Sequence, residues 1–450
     1  MLLFVGALFY LPGNGDYLVE VFDQLSALLG LPVKAEVWIT FVLMFVCCLP
    51  MLAYDLVKVT AVKKRLTMEE QAGGERGHRL FVKMIGLLAT FGGLGFVYWL
   101  LPEYGSWYDR FWQLLWLILP LCLLVAPFYM LYADRRMPDP EDGYWHLGLW
   151  LLSLFSPADR AKVSAGKLAE HGRTWAIKGF FLPLMAIFLM NDVVAFLKQD
   201  LAGIFDSFGQ FYNFLYLLLY SVDVFFAAIG YVMTLKILDT DIRSAEPSLL
   251  GWLVCIICYP PFWNGLLYKR YFFYNDGGYW GAWLKDSPGL YGLWGSLILV
   301  CIAVYVLATV SLGYRFSNLT YRGLTTTGVY RLTKHPAYVA KNLSWWLISI
   351  PFLTGGDEVS VVRNCLLLLG VNFIYFLRAR TEERHLSHYS EYVAYAEWID
   401  RHGIFRWVPW VLPFTRYSAE RSRSFTPPWW KKKPLKANSS VTQSTSKSSG

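Results

Sequence analysis

The chain alternates between long apolar runs and short polar segments. Several runs continue for about 18 or more residues with few or no charged side chains, which is the length that a helix needs to cross a bilayer. This pattern predicts an all-α, polytopic helical transmembrane protein with about nine spans. The predicted spans are 37–54, 80–101, 112–133, 179–197, 211–235, 249–268, 290–313, 337–354 and 361–377.

The first residues, MLLFVGALFYLPG, are apolar but lack a basic region and a small-residue cleavage site. A secretory signal peptide carries both features. We therefore expect a short interfacial or re-entrant segment at this end of the chain rather than a cleaved leader.

Composition agrees with a membrane location. Hydrophobic residues make up 56% of the 450 residues, charged residues make up only 16%, and the mean hydropathy is +0.37. A soluble domain has about a quarter charged residues. Cys255 and Cys258 are spaced like half of a zinc site, but no second pair or histidine follows at ligand spacing. We interpret them as small buried side chains and expect no metal site.

Lysine and arginine are unevenly distributed among the loops, and cytoplasmic loops of membrane proteins carry an excess of these residues. With nine spans, the basic loops 55–79, 134–178 and 314–334 predict an N-terminus outside the cell and a cytoplasmic C-terminus. Residues 416–450 are rich in Pro, Ser and Lys, which predicts a disordered basic cytoplasmic tail. Nothing in this charge pattern suggests nucleic-acid binding.

Candidate chemistry is concentrated in one part of the chain. Residues 1–285 contain membrane spans without a recognisable chemical cluster, and the sequence does not indicate their role. Residues 286–415 contain almost every candidate site residue. Asp192 and Asp223 are exceptions in the first region, because a charge inside an apolar run is costly and is a functional candidate by default. The alternative is that each lies near a water-exposed helix end or pairs with a nearby lysine.

Residues 327–342, TGVYRLTKHPAYVAKN, lie between two apolar runs. Gly328 can supply turn geometry, and Pro336 suits the first turn of a helix because its missing N–H would be unpaired there. His335 then lies at the N-cap, where free backbone N–H groups attract an anion and favour a neutral imidazole. The alternative is a simple helix start that Lys334 anchors at the membrane interface.

A second cluster follows the last predicted span, in RARTEERHLSHYSEYVAYAEW, residues 378–398. Arg378 and Glu382 are four residues apart and share one helical face, and Glu383 continues the adjacent stripe. The alternative is an exposed ion pair that contributes about 0.3 kcal/mol. Because Arg378 directly follows the apolar residues FIYFL, a lone charge is costly there. We therefore expect an acid, an imidazole and an arginine to surround a polar ligand.

Together these clusters read G-x-Y-x-x-x-(K/R)-H-P-x-Y, then R-x-x-x-E-E-x-x-L, then E-Y-x-x-Y. Over residues 290–415 this order resembles the isoprenylcysteine carboxyl methyltransferase family, and the related phospholipid methyltransferases share part of it. Lys334 stands where the family usually has arginine, and Ala340 stands where it often has glycine. The matching residues are Gly328, Tyr330, Lys334, His335, Pro336, Tyr338, Arg378, Glu382, Glu383, Leu386, Glu391, Tyr392 and Tyr395.

The resemblance implies an S-adenosylmethionine-dependent methyltransferase with its pocket on the cytoplasmic side of the membrane. By the same resemblance, Arg378 and Glu383 would orient the acceptor or close the site. A thiol or amine acceptor would also need its proton removed, and His335 or Glu383 could then act as the base. The residues implied for the cofactor are Gly328, Tyr330, His335, Pro336, Tyr338 and Glu382.

The implied acceptor is lipid-borne or prenyl-like, and its reacting group can be a carboxylate, an amine, a thiol or a hydroxyl. Two other functions stay open at this point. One is a nicotinamide-dependent membrane reductase of related architecture. The other is a transporter or scaffold built on the N-terminal spans around Asp223. The oligomeric state cannot be read from the sequence.

Overall fold

A computed structural model gives the fold of the chain. It describes residues 1–62, 76–135, 137, 139–275, 278–353 and 357–424. Part of the predicted basic loop 55–79 lies outside the described residues. The predicted disordered tail, 416–450, is described only as far as residue 424. Contrary to the prediction, this first part is ordered: it forms a short helix over Ala419–Arg423, and Tyr417 and Ser422 are buried.

The described chain is almost entirely helical. Its one sheet has two antiparallel strands, β1 (Ser244–Ala245) and β2 (Thr320–Tyr321), and a π-helix spans Phe262–Tyr268. The helices are α1 (Leu2–Leu29), α2 (Ala35–Val62), α3 (Arg76–Leu100), α4 (Asp109–Asp134), α5 (Gly143–Leu152), α6 (Ala165–Leu197), α7 (Phe208–Val232), α8 (Leu249–Ile256), α9 (Lys269–Tyr271), α10 (Trp280–Leu284), α11 (Pro288–Leu312), α12 (Pro336–Ser349), α13 (Glu358–Leu386), α14 (Ser390–His402), α15 (Val408–Val411) and α16 (Ala419–Arg423).

Eight helices within the described ranges are long and apolar enough to cross a membrane. This result confirms the predicted all-α, multi-pass architecture, while the orientation of the chain stays a prediction. The eight segments are Leu2–Leu29, Ala35–Ala53, Arg76–Leu100, Asp109–Asp134, Ala165–Leu197, Phe208–Val232, Pro288–Arg315 and Glu358–Leu386.

The prediction for the N-terminus was wrong. Instead of a short segment, α1 forms one helix of 28 residues. One face of its first half, with Phe4, Leu8 and Leu11, is buried against the bundle, and Phe4 stacks on Phe225 of α7 with ring centroids 3.8 Å apart. Its more polar second half continues along α2, where Phe22 stacks on Trp38. Packing on both halves therefore keeps the helix continuous.

Two of the predicted spans were also wrong as long helices. In the predicted span 249–268, α8 ends at Ile256 after eight residues, and the chain resumes only in the π-helix beyond two consecutive prolines. Proline removes a backbone donor and clashes with the preceding turn, so it breaks the helix. In the predicted span 337–354, α12 has 14 residues and ends where Ile350 takes a left-handed conformation. This length corresponds to about 21 Å, against about 30 Å of hydrocarbon.

The largest buried core lies between α6, α7 and α11, with α1 and α2 packed beside them. Fully buried side chains from these helices, such as Phe181, Phe225 and Ile298, face one another there. Lipid tails are as apolar as these side chains, so close van der Waals packing rather than transfer from water holds the helices together.

Helices α3 and α5 approach each other through glycines. A Cβ at Gly86 would lie 1.9 Å from the carbonyl oxygen of Tyr144, and a Cβ at Gly148 would lie 1.9 Å from the carbonyl oxygen of Val82. Small residues permit such close backbone contact between membrane helices. The contact therefore depends on the absence of a side chain at both positions.

Six helices of the described chain begin at a side chain that caps them. In each case an oxygen of the N-cap side chain accepts a hydrogen bond from a backbone N–H in the first turn, which satisfies an otherwise unpaired donor. The caps are Asp142 for α5, Ser164 for α6, Ser207 for α7, Ser248 for α8, Asp357 for α13 and Ser418 for α16.

Arg322 connects the two halves of the chain beside the small sheet. Its buried guanidinium donates hydrogen bonds to the carbonyl oxygens of Gly230, Met233, Thr240 and Phe316. The first three of these carbonyls lie at or just beyond the end of α7. The loop between α11 and α12, which leads into the candidate site, is therefore held against the N-terminal region.

Candidate functional site

A polar cleft opens where α11 ends and α12 begins, beside the last turns of α13. Its enclosed volume is about 90 Å³. Tyr259, which lies just after α8, closes one wall. Six of the residues predicted for the site line this cleft: Tyr330, His335, Pro336, Tyr338, Arg378 and Glu382.

His335 occupies the predicted N-cap of α12, with Pro336 in the first turn. Its ring stacks almost parallel to the ring of Tyr338, with centroids 5.5 Å apart and an interplanar angle of 8°. Its Nε2 atom lies 3.3 Å from the carboxylate of Glu383, and its Nδ1 atom lies 3.9 Å from that of Glu382. The imidazole is therefore fixed between two carboxylates, with one ring nitrogen directed at the cleft.

Glu382 lies at the open edge of the cleft, and its side chain is 43% exposed. The hydroxyl of Tyr338 donates a hydrogen bond of 2.8 Å to its Oε2 atom. Glu382 and Arg378 share the cleft, as their spacing predicted, but they do not form an ion pair with each other. The second carboxylate oxygen of Glu382 is therefore available to a ligand.

Arg378 is the buried cation of the cleft. Its guanidinium donates to the side-chain oxygen of Asn318 at 2.5 Å and to the hydroxyl of Tyr259 at 3.4 Å. The rings of Tyr259, Tyr338 and Tyr375 surround it at 5.2 to 5.6 Å from their centroids. Aromatic faces and an amide oxygen stabilise the charge without neutralising it. Among the described residues no carboxylate pairs with Arg378, so an anionic ligand would complete its surroundings.

Glu383 lies outside the cleft, on the neighbouring stripe of α13. Its carboxylate lies 2.9 Å from the Nζ atom of Lys334, contacts His335 and accepts a hydrogen bond from Arg380. Lys334 is largely buried and also lies 3.3 Å from Asp400, so its ammonium group is held by two carboxylates within the fold. Glu383 therefore holds the residues before α12 against α13, which makes it a positioning residue.

Gly328 also lies outside the cleft. It has a φ of 61°, and a Cβ there would lie 2.3 Å from Ser311, so only glycine fits this turn easily. The turn brings Tyr330 to the cleft. Burial raises the pKa of the Tyr330 phenol well above its ordinary value, so the group stays protonated and can donate a hydrogen bond.

The third predicted motif, on α14, fixes the loop that carries these residues. The hydroxyl of Tyr395 donates to the backbone carbonyl of Tyr330 at 2.8 Å, and the hydroxyl of Tyr321 on β2 donates to Glu391 at 2.6 Å. This hydrogen bond holds the pKa of Glu391 below its usual range. The motif therefore supports the cleft without lining it.

Several lining residues were not identified as site residues from the sequence. Tyr259, Tyr305 and Asn318 come from outside the quoted motifs, and Lys341 lies in the quoted stretch 327–342 but was not singled out. The ammonium group of Lys341 lies 5.0 Å from the centroid of the Tyr305 ring. No spacing rule within one helix could have found Tyr259, Tyr305 and Asn318, because they meet the motifs only through packing between separate segments.

The two acids in the apolar runs differ in burial, because Asp223 is buried and Asp192 is half-buried. Asp223 accepts hydrogen bonds from the hydroxyl of Tyr305 at 2.6 Å and from the hydroxyl of Thr309. Both donors also line the cleft, so Asp223 lies directly behind its wall. The Oδ2 atom of Asp192 is shielded from solvent and has no hydrogen-bond partner among the described residues.

No three His, Cys, Asp or Glu side chains in the described part of the chain are grouped so as to hold a metal ion. Cys255 is buried, and the thiol of Cys258 donates to the carbonyl oxygen of Val254 at 3.3 Å. These two side chains therefore pack as part of the helix and the segment that follows it.

The cleft combines a guanidinium, an ammonium group, an imidazole, a carboxylate and several tyrosine rings within one small space. Such a set can bind a ligand that carries both positive and negative groups, and it can hold or accept a proton at His335. No protein-family model, no curated protein and no solved structure matches the chain.

Proposed function

We propose that the protein is an integral-membrane, S-adenosylmethionine-dependent methyltransferase that acts on a lipid-borne or prenyl-like acceptor. One observation carries the proposal. His335 and Tyr338 of the first motif share a single cleft with Arg378 and Glu382 of the second, although about 40 residues separate the two motifs in the sequence. The consecutive antiparallel helices α12 and α13 bring these two ends together, and polar side chains of both motifs face the same cleft, which supports a shared polar ligand.

The chemical groups of the cleft suit such a cofactor. The carboxylate of Glu382 and the phenol of Tyr330 suit ammonium and hydroxyl groups, and the rings of Tyr338 and Tyr375 suit a sulfonium or an adenine. The enclosed volume of about 90 Å³ is smaller than a whole nucleoside. The proposal therefore requires that the bound ligand extend into the open part of the cleft beside Glu382.

Bound S-adenosylmethionine would supply an activated methyl group. The contribution of the protein is to align the acceptor, and positioning of this kind provides several kcal/mol. Arg378 offers the planar donor geometry that holds a carboxylate acceptor through two hydrogen bonds. An acceptor that carries a proton would lose it to Nδ1 of His335, because Glu383 is already paired with Lys334 and Arg380.

Calorimetric titration of the purified protein with S-adenosylhomocysteine tests the cofactor site. Glu382→Gln and His335→Ala are expected to weaken binding by about tenfold or more, since a hydrogen bond to a charged group contributes about 1.5–3 kcal/mol. Glu397→Gln and His402→Ala are matched controls, because both residues lie on the exposed face of α14. The controls should bind as the wild type does.

Folded Glu382→Gln and His335→Ala proteins with unchanged affinity would contradict the site. Binding of NADPH in a fluorescence titration, with none of S-adenosylhomocysteine, would favour the reductase instead. Transfer of a labelled methyl group to membrane lipid and protein extracts, resolved by mass, then identifies the class of acceptor.

A further inference from the structure

A second cavity, of about 310 Å³, lies in the N-terminal region. It is enclosed by α3, α4, the start of α5, α6 and the segment that follows α7, and it shares no lining residue with the cleft. One face of α6 forms its longest wall, since the lining positions recur every three or four residues. These positions are Lys167, Glu170, His171, Thr174, Trp175 and Lys178.

Two lysines of this cavity are already paired with carboxylates. The Nζ atom of Lys83 lies 2.7 Å from Asp134, and the Nζ atom of Lys167 lies 2.5 Å from Asp139. These ion pairs join α3 to α4 and α6 to the loop before α5. These ion pairs form part of the cavity walls. Because each lysine is already neutralised by a carboxylate, neither is a good partner for an anionic ligand.

Lys178 differs from these two lysines. No carboxylate among the residues that the structure describes forms an ion pair with it, and its ammonium group lies 4.5 Å from the centroid of the Trp175 ring. Arg322 is close enough to add a second positive charge to the surroundings of Lys178. Within the described chain, Asp241 contributes the one negative charge that acts on Lys178. Arg322 itself bonds only backbone carbonyls. Of the other acids that line the cavity, Glu170 is paired with Arg173 and Asp142 lies 3.6 Å from Lys83. Lys178 and Arg322 therefore exceed Asp241 by one positive charge.

Part of the cavity lining is apolar. Ala126, Met130 and Ala133 of α4 form this part, and Leu87 of α3 adds to it. The same part of α4 exposes Phe128 on its outer surface. The cavity thus has a cationic end and an apolar wall that belongs to a helix with a lipid-facing surface.

We propose that this cavity binds a phosphate-bearing amphiphile, with the phosphate at Lys178 and the apolar part along Ala126 and Met130. Lysine donates charge-assisted hydrogen bonds to phosphate, and basic pockets between membrane helices bind lipid headgroups by this chemistry. A lipid headgroup and a soluble phosphate ester offer the same group to Lys178. The site is independent of the proposed methyl transfer, because none of its residues belongs to the cleft.

Native mass spectrometry of the whole protein in detergent tests the proposal with three probes. Phosphatidylglycerol carries phosphate and acyl chains, diacylglycerol carries only the chains, and glycerol 3-phosphate carries only the phosphate ester. The wild type is expected to retain phosphatidylglycerol but not diacylglycerol. Lys178→Gln should lower the affinity for phosphatidylglycerol by about tenfold, the effect of one charge-assisted contact. Lys198→Gln, at the exposed far end of α6, is the matched control and should bind normally.

Lys178→Arg keeps the charge and is expected to bind as the wild type does, which separates lost binding from lost folding. Competition by glycerol 3-phosphate would support a soluble phosphate ester as the natural ligand, and lack of competition would support a lipid. Either result keeps the phosphate site at Lys178. Equal retention of diacylglycerol, or undiminished binding of phosphatidylglycerol by Lys178→Gln, would overturn the proposal.

Discussion

Replacing Glu383 by glutamine tests whether this residue supports the cleft or acts in it. The side chain of Glu383 is only 4% exposed, and that of its partner Lys334 is 11% exposed. Glutamine keeps the shape but removes the charge that Lys334 and Arg380 share. Removing one partner of a buried ion pair costs about 3–5 kcal/mol. Because Asp400 remains 3.3 Å from Lys334, we expect the lower end, about 3 kcal/mol.

The measurement is the free energy of unfolding in detergent, obtained by titration with a denaturing detergent. Glu397→Gln is the matched control, since Glu397 and its partner Arg401 are both well exposed and lie 3.7 Å apart. Exposed pairs contribute about 0–1 kcal/mol. A Glu383→Gln protein as stable as this control would refute the reasoning. Full stability combined with lost methyl transfer would instead support direct action on the acceptor, as the resemblance implied.

Two further substitutions test the N-terminal region. Gly86→Val should destabilise the protein by about 3 kcal/mol, because the new side chain would collide with the backbone of α5; Gly92→Val, in open space on the same helix, is the control for thermal unfolding. His146 is buried, its Nδ1 accepts the backbone N–H of Ser164 at 3.2 Å, and burial lowers its pKa. The unfolded chain therefore takes up the proton first, so stability should fall as pH drops below about 6.5. His146→Gln should reduce this slope in unfolding titrations at pH 8 and pH 5.5, and an unchanged slope would contradict the assignment.

The long spans could be predicted because a run of apolar residues is a local property. The failures come where tertiary contacts or single residues decide the outcome. In α1 the acids after Asn14 weaken the apolar signal, yet packing on α2 extends the helix to Leu29. In the predicted span 249–268 the signal was strong, but consecutive prolines interrupted the helix.

For the candidate site, spacing within one helix was informative. His335 at the N-cap, Pro336 beside it, and Arg378 with Glu382 on one face all follow from local geometry. The different roles of the two neighbouring glutamates do not follow from local geometry. Glu383 follows Glu382 directly, and only the positions of Lys334 and Arg380 show that it faces away from the cleft.

The contact between Arg378 and Tyr259 links positions 119 residues apart. No pattern in a single sequence predicts such a pair, because the two side chains meet through the packing of separate helices. The same holds for Asn318, which occupies the turn after α11 and carries the closest acceptor of Arg378. The two hydrogen-bond acceptors of the Arg378 guanidinium, Tyr259 and Asn318, could therefore not be predicted before the fold was known.

Strand β1 pairs with β2, and Tyr259 forms part of the cleft wall. Both features limit where the protein can be truncated without damage to the cleft. The recognisable motifs all follow residue 286, but a fragment starting there would leave β2 without its partner strand. It would also leave Arg378 without one of the rings around it. A graft intended to transfer the cleft to another membrane scaffold must therefore begin no later than Ser244.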